Sequence, residues 1–300
     1  MNLCRFGGSL LADIKDFLCT YANSSGINSE VTDGLDLVFP EAYEKAESMA
    51  ILSLALKKHD GASVCELPFC HTVEGEALGG LVTLGDANIG PRARGYCCET
   101  MEDVLALKPI DFSKGRIHEV LVACQMLREQ GEQVVLEISG PFTILNVLLD
   151  APKVFKAIRK QPDVAFEAIR RLGNEILEFM KEAKKYGVQL ISYADSSGAL
   201  GIVGPKVSES VVENFTYEFM KKVEEEICDE NTIVLMCPKT SFALIGCEKA
   251  SFEPVKLSGP MRYSDACIEL IGKVNFAGQN CIKNVDYRLE NGIMQTVVLR

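Results

Sequence analysis

The chain has 300 residues, 47% of them hydrophobic, and a formal net charge of −11 at pH 7. That length allows a large core, as one α/β barrel or two smaller domains, and the acidic excess argues against a nucleic-acid backbone as partner. No apolar run approaches the roughly 20 residues of a membrane span, no secretory signal opens the chain, and its twelve cysteines read as reduced thiols in a cytoplasm.

Residues 1–40 hold two short apolar runs, around Leu10 and Phe17, then Ser-Ser-Gly and Asp-Gly turns; an arm or cap is expected there. From Pro40, the spacing of Ala42, Ala46, Met49, Ala50, Leu52, Leu54 and Leu56 predicts an amphipathic helix that stops at His59-Asp-Gly, with His59 at its solvated end. Ala62-Ser-Val-Cys-Glu-Leu-Pro-Phe-Cys70-His71 reads as the first barrel strand, followed by Thr72-Val73-Glu74. His71 and Glu74 there suit proton transfer or metal ligation, although Thr and Glu also start helices.

A helix over 117–130 precedes the strand Gln133-Val-Val-Leu-Glu-Ile, which breaks into Ser139-Gly-Pro-Phe-Thr143. His118, on that helix's first turn, reads as structural. Two helices over 152–186, split near Gln161-Pro162-Asp163, lead to the strand Val188 to Ala194, which delivers Asp195-Ser-Ser-Gly198. An aspartate at that junction either caps a turn or points into a site, and both readings are compatible.

After a helix over 208–227, the apolar run Ile233-Val-Leu-Met ends in Cys237-Pro238, because proline cannot continue a ladder. A strand near Pro254, a helix over 265–271 and a strand ending in Cys281 complete the pattern. Repeated strand-then-helix units predict an α/β fold, a (β/α)8 TIM barrel over residues 41–300, with Asp195, Cys237 and Cys281 at the carboxyl ends of strands. Two thiols placed in this way are candidates to share a metal.

Four stretches also carry a family resemblance: Leu67-Pro-Phe-Cys-His-Thr-Val-Glu-Gly-Glu-Ala-Leu-Gly79, Ile138-Ser-Gly-Pro-Phe-Thr-Ile-Leu, Gly187-Val-Gln-Leu-Ile-Ser-Tyr-Ala-Asp195-Ser-Ser-Gly and Val234-Leu-Met-Cys237. In this order they resemble the uroporphyrinogen decarboxylase superfamily, and most its corrinoid-dependent methyltransferase branch. The resemblance implies a cytoplasmic, zinc-dependent methyltransferase. It would move a methyl group between a corrinoid, on a partner protein or as free methylcobamide, and a small thiol acceptor, with no nucleic-acid or membrane partner.

It also implies zinc on a His-x-Cys pair plus a distant Cys, since zinc makes a bound thiol a nucleophilic thiolate. Cys237 matches the Cys of the pair and Cys281 is the candidate distant thiol, whereas Leu235 stands where the His belongs. His71 or Glu74 is then the expected third ligand, and Glu74 and Asp195 the expected catalytic carboxylates. The alternatives are a metal-free or non-catalytic barrel that binds a corrinoid or tetrapyrrole, and decarboxylation of a porphyrinogen. The arginine-rich N-terminal signature of the decarboxylases is absent, with only Arg5 ahead of Arg92.

Overall fold

The computed structural model describes residues 5–6, 9–10 and 26–300. Among them a seven-stranded sheet carries the fold: β1 (Cys65–Leu67), β2 (Val134–Ser139), β3 (Leu190–Ala194), β4 (Ile233–Met236), β5 (Ala250–Lys256), β6 (Phe276–Ala277) and β7 (Ile293–Leu299). The spatial order is β1-β2-β3-β4-β6-β7-β5. The first five strands in that order are parallel, and β7 runs antiparallel to both β6 and β5.

The expected α/β fold is present as a mixed, mostly parallel sheet; among the described residues its ladder is not closed into the expected (β/α)8 barrel, and β1 and β5 are its edges. Proline marks both edges: Pro68 follows β1 and Pro254 lies within β5, and proline is tolerated at sheet edges because it lacks the N–H a further ladder needs. The Arg262 guanidinium, six residues past β5, donates to the Gly61 carbonyl, four residues ahead of β1. Cys281 does not end a strand as expected; β6 stops at Ala277 and Cys281 lies in the loop beyond it.

Seven helices matter for the site: α1 (Ala46–Asp60), α2 (Val73–Ala77), α3 (Gly115–Glu129), α4 (Pro141–Leu148), α5 (Pro162–Lys185), α6 (Pro238–Gly246) and α7 (Tyr263–Glu269). The α1 helix begins at Ala46 and buries Met49, Ala50 and Leu52; it ends at Gly61, whose φ of 60° is the left-handed cap that glycine adopts without strain. His59 lies in its last turn beside Asp60, at 2.7 Å. The break at Gln161 separates Ala151–Lys160 from α5, as the proline at 162 predicts. His118 on α3 bonds the Phe112 carbonyl at 3.1 Å, a structural tie.

All six residues of β2 are buried, Glu137 and Ser139 among them, as in a strand covered on both faces. Alternation then divides the sheet between two cores. Leu136, Ile138, Ile191, Tyr193, Val234, Met236 and Phe276 pack under α3 and α5. Val135, Leu190, Ile233, Leu235 and Ala277 form a second core with Tyr263, Ala266 and Cys267 of α7.

Of the expected 1–40 arm, the runs around Leu10 and Phe17 lie outside the residues whose side chains are described, while Val31 of the short helix Ser29–Thr32 packs on Ala42, Tyr43 and Leu52. No helix of the described residues is long and apolar enough to cross a membrane. None of the ten described cysteines is in a disulfide.

Candidate active site at the carboxyl edge of the sheet

Parallel register aligns the residues of the second face in rows. Glu66 pairs with Val135, and one step toward the carboxyl ends Glu137, Ser192, Leu235 and Ala277 stand side by side. Beyond them Ser139 pairs with Ala194. Cys237 follows at the end of β4, its N–H donating to the Tyr193 carbonyl at 2.8 Å, and it opens α6 with Pro238 at the first helical position. Period two sends Cys237 to the same face as Leu235.

Cys281 meets it from the loop after β6, its N–H held by Asn280 Oδ1 at 2.7 Å. The two thiols are close enough for the charge of Cys237 to act on Cys281. Burial pushes the Cys281 thiol up to about 12, and the charges of Cys237 and Glu137 add to that rise.

Glu74 and Asp195 do reach the carboxyl edge, and both grip the same loop. Glu74, buried on α2, accepts from the Ser139 N–H at 2.7 Å, the last residue of β2. Asp195 accepts from the N–H groups of Phe142 at 3.2 Å and Thr143 at 2.8 Å, and from the Thr143 hydroxyl at 3.0 Å. It thereby satisfies the N-terminal amides of α4 from a neighbouring strand. Gly140 lets it in, since a Cβ there would stand 2.3 Å from the Asp195 Cβ. Burial raises the Asp195 carboxyl to about 6, against the lowering pull of the Thr143 and Phe142 amides, and raises Glu74 as well. His71 lies near enough to Glu74 for its charge to act there.

The structure also assembles a charged group absent from the expected site. Lys283, two residues past Cys281, places Nζ 2.8 Å from Glu137 and 3.7 Å from Glu66. The Glu137 side chain is 3% exposed, and its second oxygen, Oε2, is buried without a hydrogen-bond partner. Burial raises Glu66 to about 7, Lys283 pulling down and Glu137 pushing up; a quarter of its side chain reaches solvent, which softens that rise. A cavity of about 200 Å³ along the open edge of β1 has Glu66, Pro68, Phe69, Lys283 and Val285 in its wall. The signal was a lone glutamate at an inward position of two apolar strands, Cys65-Glu66-Leu67 and Leu136-Glu137-Ile138.

Zinc at this edge requires three protein ligands and an open position. The thiols of Cys237 and Cys281 supply two. Leu235, 3% exposed and apolar, supplies none, and among the described residues no three His, Cys, Asp or Glu side chains are gathered to hold a metal. The charge of Lys283 acts on Cys281, a poor neighbour for a dication. As arranged, these residues do not fit a catalytic zinc centre, and His71, whose charge is felt by Glu74, is not brought to the two thiols as the third donor.

A mostly parallel α/β sheet with a polar cluster at its carboxyl edge defines an enzyme-like class of protein. The chain belongs to the uroporphyrinogen decarboxylase (URO-D) family, whose profile matches residues 32–275. It is similar to the methylcobamide:CoM methyltransferase MtaA of Methanosarcina barkeri, 24% identical over 227 residues, 75% of this chain and 66% of that protein. It is also similar to the methylcobamide:CoM methyltransferase MtbA of Methanosarcina acetivorans, 23% identical over 211 residues, 69% of this chain and 61% of that protein. The chain thus spans about two thirds or less of the length of these relatives. A solved methyltransferase from Methanosarcina mazei shares the fold, with a TM-score of 0.62 at 21% identity over 74% of this chain and 67% of that one.

Proposed function

We propose that the protein transfers a methyl group between a corrinoid and a small thiol acceptor, with the corrinoid as substrate, free or carried by a partner protein. The observation that carries this reading is the cluster of Cys237, Cys281, Glu137 and Lys283 at the carboxyl edge of a fold whose relatives bear methylcobamide:CoM methyltransferase names. Described cysteines held outside disulfides agree with work in a reducing cytoplasm.

In this role Glu74 and Asp195 are positioning residues. They fix the β2–α4 loop through amide hydrogen bonds, which sets the floor against which the substrates sit. Burial at this edge also strengthens each electrostatic contact the cluster makes to a reacting sulfur. A second reading keeps zinc as cofactor, bound by Cys237 and Cys281 with His71 as third ligand; the closeness of the two thiols favours it, and it needs a donor that must move in.

Porphyrinogen decarboxylation is disfavoured because carboxylate-rich substrates are gripped by arginine forks. Arg116, the buried arginine near α2, is already committed to Glu76 at 2.7 Å and to the Thr72 hydroxyl at 2.7 Å.

Anaerobic incubation of the purified protein with methylcobalamin and a panel of thiols tests the proposal. Formation of a methyl thioether above the protein-free rate is expected. Binding of the corrinoid with no thioether, whatever the thiol, would assign the chain to a non-catalytic corrinoid binder.

A further inference from the structure

We propose that Glu137 and Lys283 activate the acceptor thiol in this chain, Glu137 as general base through Oε2 and Lys283 as the cation that holds the thiolate. This rests on the methyl-transfer reading and assigns to two side chains the task that a metal would otherwise perform.

Three observations meet here. Glu137 is nearly fully buried, yet one of its carboxylate oxygens has no donor, an arrangement that costs free energy unless a hydrogen-bond donor arrives. Its other oxygen is fixed at 2.8 Å by Lys283, so the base is oriented before any ligand binds. Lys283 in turn forms part of the wall of the roughly 200 Å³ cavity along β1, large enough for a thiol of a few heavy atoms. Glu66 shares that wall, its carboxylate 3.7 Å from the Lys283 ammonium. Leu235 stands in the same row as Glu137, which puts an apolar surface where a third metal ligand is missing.

The step balances without a redox partner. The acceptor S–H bond gives its proton to Glu137 Oε2 and the electron pair stays on sulfur, next to the Lys283 ammonium. That pair attacks the methyl carbon of the methylated corrinoid; the S–C bond forms, the Co–C bond breaks, and its two electrons remain on cobalt, which passes from Co(III) to Co(I). The proton then leaves Glu137 to water.

The test uses the full chain, freed of metal by dialysis against chelator, with methylcobalamin and coenzyme M, followed by the cob(I)alamin spectrum under anaerobic conditions. Turnover is expected to persist without metal and to fall about 100-fold or more in Glu137→Gln and in Lys283→Met, the scale of a lost general base.

Calorimetry on the wild type in buffers of different ionisation enthalpy needs no variant: on coenzyme M binding, the thiol proton should stay on the protein, so little reaches the buffer. Turnover that is abolished by chelator and restored by zinc, with about one proton released to the buffer, would overturn this inference and leave the methyl-transfer reading standing. A wild type that is inactive with and without zinc overturns both.

Discussion

Replacing Asp195 by alanine should destabilise the fold, because the side chain holds the start of α4 from the adjacent strand. Three hydrogen bonds disappear, from the amides of Phe142 and Thr143 and the Thr143 hydroxyl. Each orphaned amide costs about 1–3 kcal/mol where water cannot replace the carboxylate, and lost caps cost about 1 kcal/mol. Part of that is offset, since the carboxyl no longer has to be desolvated, and a net loss of about 2–4 kcal/mol is expected. For a chain of this size that is a fall in Tm of roughly 5–12 °C in a thermal melt followed by circular dichroism.

The pH dependence has a definite sign. Burial raises Asp195 to about 6 in the folded state, above the ordinary value of about 3.9. Its contribution is therefore full below the unfolded value and declines as pH rises through the folded one. The stability gap between wild type and Asp195→Ala should narrow from pH 4.5 to pH 7, on the order of the interval between those two values. An unchanged Tm, or a gap that widens with pH, would refute the assignment of Asp195 to the α4 cap.

Gly140→Ala should destabilise by about 1–3 kcal/mol in urea denaturation, because the new methyl lands on the Asp195 Cβ; wild-type stability would mean the loop is not packed against Asp195. Glu66, raised to about 7, adds stability that is present below its unfolded value and lost as pH rises through 7, so Glu66→Gln should flatten the dependence of Tm on pH between about 5 and 8. Equal slopes in both proteins would show that Glu66 titrates at its ordinary value. Leu235→His places an imidazole two residues from Cys237 on the same face and should tighten zinc retention against a competing chelator. If the variant holds zinc no better than the parent, the Cys237 and Cys281 thiols do not share a metal.

Much of the architecture was legible because its signals are local. The uninterrupted run Ile233 to Met236 ending in Cys237-Pro238 is β4 and the start of α6, and the proline at 162 divides two helices where periodicity alone would have run them together. Asp195 was legible as a residue at a strand end, but its hydrogen-bond partner Phe142 lies 53 residues away and left no local signal.

What escaped is long-range. That β7 runs antiparallel and inserts between β6 and β5 depends on pairing, since a half-buried strand shows the same alternation in either direction. The Glu66, Glu137 and Lys283 cluster joins three distant segments, and only the glutamates left a trace, as charges inside apolar strands. Lys283 looked like any loop lysine.

Isotopic tracing follows the methyl group itself from corrinoid to thiol. The purified protein would be incubated anaerobically with deuterated-methyl methylcobalamin and coenzyme M, and the thioether analysed by mass spectrometry. S-methyl coenzyme M carrying the intact deuterated methyl group is expected, in equal amount to the cob(I)alamin formed. Recovery of all the label on the corrinoid, with and without added zinc, would contradict it.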